Sequence, residues 1–87
     1  MIFAVILPKH MTGLKLGQQF VKLASRYADE GNTVAARRNL DSAQEAYKGF
    51  LRFLSKATLT ASQREQVEKD LPRLKESLDI LRSRIRN

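Results

Sequence analysis

Residues 17–50, GQQFVKLASRYADEGNTVAARRNLDSAQEAYKGF, decide the fold, because they hold two helical stripes and the turn between them. Starting just upstream, Leu16, Phe20, Leu23 and Tyr27 recur at spacings of four, three and four. That spacing stacks side chains on one face of an α-helix. Val21, Ala24 and Ala28 widen the face. Gly31 then supplies a residue that tolerates positive φ, the usual helix stop. Asn32 follows, with a side-chain oxygen able to accept a backbone N–H one turn further on. A first helix is therefore expected over about residues 12–30 and a second over 32–57.

The second helix carries the longest stripe: Ala36, Leu40, Ala43, Tyr47, Phe50, Leu54 and Ala57, flanked by Leu51 and Phe53. Its N-terminal half is rich in alanine, which lets a neighbouring helix approach closely. Its C-terminal half is bulky and needs a cover. A third helix over residues 61–86 supplies one, with Val67, Leu71, Leu74, Leu78, Leu81 and Ile85 in the same alternation. Thr60 with Gln63, or Ser62 with Glu65, has the spacing of a capping box at its start. Pro72 lies inside the stripe without shifting its register, which favours one kinked helix over two separate ones. The alternative is a break, with Asp70 capping a new helix and Pro72 in its first turn. Short connections make sequence neighbours antiparallel. The expected fold is an all-α, three-helix antiparallel bundle (residues 12–87) preceded by a short apolar arm (residues 1–11).

Composition agrees with one small helical domain. Two prolines and four glycines in 87 residues interrupt the chain little, and a hydrophobic share of 43% argues against disorder. Without cysteine there is no disulfide, thiolate metal site or cysteine nucleophile. The net charge of +7 raises the question of an anionic partner. Residues 1–31, 32–59 and 60–87 carry +2, +3 and +2, so no segment is a basic tail. The opening apolar run of seven residues is too short for a bilayer, which needs about 20, and the later apolar positions are periodic. It also lacks the basic start and cleavage site of a signal peptide. No membrane partner is expected, and a cytoplasmic location is.

Phe20, Leu23, Ala24, Tyr27, Gly31, Ala36, Leu40 and Ala43 resemble, in type and spacing, the pattern of a single tetratricopeptide repeat. The resemblance implies a helical hairpin whose small residues mark the crossing, and a protein or peptide partner. Two features depart from the pattern. The proline that closes such a repeat is replaced by Lys48-Gly49, and no second copy of the unit follows. A lone hairpin with a third helix packed on it is also similar to microtubule-interacting-and-trafficking domains.

Little in the chain suggests chemistry. His10 is the only histidine and has no nearby carboxylate to orient it. No phosphate-binding glycine loop, nucleophile elbow or zinc spacing occurs, so no enzyme activity, cofactor or metal is expected. Phe50, Phe53 and Leu54 are candidates for a partner groove. Lys48, Arg52 and Lys56, at i, i+4 and i+8, are candidates for an anionic contact. Arg82, Arg84 and Arg86 suit the negative end of the third helix. The expected role is a non-enzymatic interaction module for a protein, a peptide or a second copy. A basic nucleic-acid-binding bundle is the alternative.

Met1–Leu7 leaves three readings open. The arm folds onto its own bundle, it enters a second copy, or Met11 is the native start and the arm is extraneous. Ile2, Phe3, Val5, Ile6 and Leu7 are the candidate self-association residues, each gaining about 1.5–3 kcal/mol on full burial. Deleting Met1–His10 separates these readings by light scattering and thermal melting. A dimer that becomes a stable monomer shows exchange between copies, and a monomer that loses stability shows self-capping. No change in either measurement removes both.

Overall fold

Three helices follow one another in the computed structural model: α1 (Ile2–Asp29), α2 (Thr33–Leu54) and α3 (Ala61–Ile85). It describes the backbone of residues 2–85 and the side chains of residues 13–85. α1 and α2 form the more extensive pair, and α3 packs against both. The long dimension of 44 Å matches α1, whose 28 residues span about 42 Å at 1.5 Å each.

The turn between α1 and α2 is a Schellman motif. Gly31 has φ of +79°. The Asn32 N–H donates to the Tyr27 carbonyl (2.8 Å), and the Gly31 N–H to that of Ala28 (3.1 Å). Asn32 also caps α2, its Oδ1 accepting the Ala35 N–H at 3.1 Å. One residue thus ends the first helix and starts the second.

α2 stops at Leu54, three residues short of the expected end. The Ser55 hydroxyl donates to the Arg52 carbonyl at 2.8 Å. The next N–H groups take i→i−3 partners, Lys56 to Phe53 (3.0 Å) and Ala57 to Leu54 (3.4 Å), which tighten the last turn out of α-geometry. α3 begins with the Thr60–Gln63 capping box. The Thr60 N–H reaches Gln63 Oε1 at 3.0 Å, and the Gln63 N–H reaches Thr60 Oγ1 at 3.1 Å. α3 runs unbroken through Pro72.

At the N-terminus the expected division between arm and helix is absent from the backbone. α1 starts at Ile2, ten residues before Thr12, and contains Pro8. A proline fixes φ near −65°, inside the helical range, so it weakens a helix locally without forcing it to end.

Val67, Leu74, Leu78, Leu81 and Ile85 of α3 are buried, as are Ala36, Leu40, Ala43 and Phe50 of α2. α1 departs from expectation. Leu16 and Leu23 are 41% and 37% exposed, while Leu14 and Ala24 are buried. Gly17 is buried too, and Val21 and Ala28 are half-buried. The face of α1 turned to the core is therefore Leu14, Gly17, Val21, Ala24 and Ala28, rotated from the row of large residues. The cause is steric. A Cβ on Gly17 would lie 2.9 Å from Leu74 Cδ2 and 3.8 Å from the Ala46 Cβ, so the small residue is what admits both neighbours.

α3 returns to the turn end of the hairpin. Arg84 meets Asp29 at 2.7 Å, and the Arg37 guanidinium donates to the Ile85 carbonyl at 3.0 Å. α3 is therefore antiparallel to α2 and runs alongside α1.

Two substitutions test this packing by chemical denaturation. Ala43 is fully enclosed, so Ala43→Leu should overpack the crossing and cost about 1–3 kcal/mol. An unchanged midpoint would mean that the hairpin has another register. Pro72 is exposed within α3, so Pro72→Ala loses no packing and regains one backbone bond. It should stabilise the domain by up to about 3 kcal/mol, and a loss would contradict the continuous helix.

Candidate functional site

At about 100° per residue, the apolar residues of α1 sweep half its circumference, from Leu23 through Leu16, Tyr27 and Phe20 to Ala24, Gly17 and Leu14. α2 and α3 cover one side of that arc. The other side is the row Leu16, Phe20, Leu23 and Tyr27. Phe20 and Tyr27 are half-buried against the core, and the two leucines are exposed. The same periodicity sets Ser42, Ala46, Gly49 and Phe53 on the adjoining side of α2, all half-buried. Leu40, Gln44 and Leu51 occupy the side of α2 towards α3, and the first two line a cleft that reaches Asp79 and Ile85. The hairpin thus has one face under α3 and one face, turned away from α3, that no element covers among the described residues.

The rim of the uncovered face is basic. Lys15, Gln19, Lys22 and Arg26 each precede a member of the apolar row by one residue and form a parallel, exposed row. A depression of 330 Å³ beside Leu23 is lined by Gln19, Lys22 and Arg26. On α2 the rim holds Arg38, Glu45 and Arg52. The Arg52 guanidinium lies 3.9 Å from where a Gly49 Cβ would be, so it reaches back along the helix.

The candidates drawn from the sequence separate. Phe50 is 2% exposed, and its Cβ lies 3.3 Å from where a Gly13 Cβ would be. It belongs to the core and not to a groove, because a glycine opposite lets α1 close over it. Phe53 and Leu54 are half-buried, and the Phe53 ring sits 5.9 Å from that of Phe50. The basic stripe is also broken up. Lys56 falls beyond the end of α2, and Lys48 lies 3.9 Å from Glu45. Lys48 and Arg52 keep their expected places one turn apart on α2, and of the two only Arg52 has no carboxylate beside it among the described residues. The side chains of Ile2, Phe3, Val5, Ile6 and Leu7, and of His10, lie outside the described residues, as does Arg86. Arg84 is tied to Asp29, and Arg82 lies 3.7 Å from Asp79.

A second concavity, of 560 Å³, opens between α2 and the end of α3. Arg37, Asp41, Asp79 and Arg82 line it. Arg37 bonds the Ile85 carbonyl, and Asp79 meets both Lys75 (3.3 Å) and Arg82 (3.7 Å). Its lining holds two cations and two anions, so the cleft favours neither an anion nor a cation. Among the described residues, no group of three His, Cys, Asp or Glu could hold a metal ion, and no helix is long and apolar enough to cross a membrane.

No family model matches the chain, and neither a curated protein nor a solved structure matches it.

The uncovered row was visible in the sequence, but its place was not. Leu16, Phe20, Leu23 and Tyr27 stood out as large residues at helical spacing. The signal that would have turned them outward is the smallness of Gly13, Gly17, Ala24 and Ala28 on the next face.

Proposed function

We propose that this chain is a non-enzymatic helical protein–protein interaction module that binds through the hairpin face turned away from α3. The observation that carries the proposal is the exposure of Leu16 and Leu23, two helical turns apart in one row with Phe20 and Tyr27 between and beyond them. Single exposed leucines are ordinary on protein surfaces. Two in register with half-buried aromatics form a continuous apolar strip, the kind of surface into which an amphipathic helix lays its i, i+3, i+4 and i+7 anchors. The strip is on a helix buttressed by two others, so a partner meets a preformed surface and does not have to order it. The broken row of Lys48, Arg52 and Lys56 gives no comparable support to nucleic-acid binding.

The test is a display library of amphipathic helices with unbiased flanking residues, panned on the full chain. The selected sequences should bind the chain and lose that binding to a Leu16→Glu/Leu23→Glu variant whose melting curve stays cooperative. If no sequence is selected, or the variant binds the selected ones equally well, the face is not a docking surface.

A further inference from the structure

We infer that the uncovered hairpin face takes a single amphipathic helix of a partner protein that carries Asp and Glu beside its apolar stripe. This inference rests on the interaction-module proposal and adds the chemistry of the occupant. Its basis is the way charge is divided among the helices. α1 holds four Lys/Arg and one Asp, α2 four and two, but α3 six and five. The excess of positive charge therefore belongs to the hairpin, and α3 is close to balanced.

Within the hairpin the cations border the apolar strip. Lys15, Lys22 and Arg26 run along its α1 side, and Arg38 and Arg52 along its α2 side. All five are exposed, and none is joined to a carboxylate among the described residues. Glu45 is the one acid on the α2 rim and already faces Lys48 at 3.9 Å, and Glu30 sits at the turn. By contrast, the arginines at the end of α3 meet Asp29 and Asp79. An apolar strip bordered by a row of unpaired cations on α1, and by Arg38 and Arg52 on either side of Glu45 on α2, is complementary to a helix with a leucine-type stripe and acidic flanks. Such complementarity sets partner choice and encounter rate more than bare affinity.

The same charges argue against the other occupants. A second copy would bring Lys15, Lys22 and Arg26 against an identical basic row, so this face repels itself. Nucleic acid would use the cations, but it has no use for an aliphatic strip flanked by only half-buried aromatics. It also gains most from aromatics free to stack.

Three synthetic peptides of about 20 residues, long enough for five helical turns, test the assignment. One has a leucine stripe flanked by Glu, the second has the same stripe flanked by Lys, and the third is a scramble of the first. Each is titrated into the full chain by calorimetry at moderate salt. The Glu-flanked peptide should bind at least about tenfold tighter than either of the others, a difference well resolved by titration. Lys22→Glu/Arg26→Glu should weaken it about tenfold while the melting temperature holds, as expected for exposed residues.

Equal binding by the scramble would mean bare charge attraction and would overturn the inference. Equal binding by the Lys-flanked peptide would overturn it too, yet leave the interaction module standing if library binders still depend on Leu16 and Leu23. If no peptide binds and light scattering shows a dimer that Leu16→Glu/Leu23→Glu dissolves, a second copy is the occupant. If a DNA duplex binds tighter than the Glu-flanked peptide, with affinity falling steeply in salt, the rim is a nucleic-acid contact. Either result rejects the acidic helix.

Discussion

Everything in this molecule depends on the three-residue turn from Glu30 to Asn32, and on its last two residues, Gly31 and Asn32. Gly31 adopts φ of +79°, a conformation that costs an L-residue with a side chain roughly 1–2 kcal/mol. With nothing within 4 Å of a Cβ placed there, the need for glycine is conformational and not steric. The left-handed residue turns the Asn32 N–H back to Tyr27, and the Asn32 side chain then faces the start of α2. So short a link leaves α2 almost no freedom other than to run back along α1. The two helices must then solve a packing problem along their whole length.

They solve it with small residues. Ala24, Ala36 and Ala43 are fully enclosed, and Gly17 admits both Leu74 and Ala46. Close approach raises the number of van der Waals contacts, each worth only about 0.1–0.2 kcal/mol but collectively large. It also has a directional consequence. Once the glycine and alanine face is turned inward, the large residues on the neighbouring arc of α1 cannot be. Leu16 and Leu23 are at the surface because Gly17 and Ala24 are at the centre. The exposed strip and the tight hairpin are thus two results of one choice of rotation.

That coupling explains what was legible in the sequence. α3 could be read residue by residue, because its stripe from Val67 to Ile85 is a single narrow row, buried throughout except at Leu71, while Ile80 lies off the row and is exposed. The caps were legible for the same reason: a Gly-Asn pair and a Thr-x-x-Gln spacing have local meanings that packing does not change. The rotation of α1 was not legible. Its apolar arc covers half the helix, so periodicity fixes that it is amphipathic but not which edge is covered. Residue size was the missing criterion. Phe50 follows the same rule of size, since an aromatic opposite Gly13 has room to sink into the core. The end of α2 was lost to a different competitor, the Ser55 hydroxyl, which bonds a carbonyl of the last turn. With the following N–H groups turned to i→i−3 partners, Lys56 falls outside the helix and the basic stripe loses its third member.

Charge shows the same limit of one-dimensional reading. Cut into consecutive thirds, the chain is evenly basic, and nothing in the totals points to a surface. Folding redistributes it. α3 interleaves six cations with five anions and sends Arg84 across to Asp29 at 2.7 Å, removing the one carboxylate of α1 from contention as a partner for Lys22 or Arg26. An exposed pair of this kind contributes about 0–1 kcal/mol to stability, so its chief consequence is electrostatic. By occupying Asp29 at the far end of the bundle, the third helix leaves the open side of α1 without a carboxylate of its own. The element that buries one face of the hairpin therefore also sharpens the basic character of the face it leaves open.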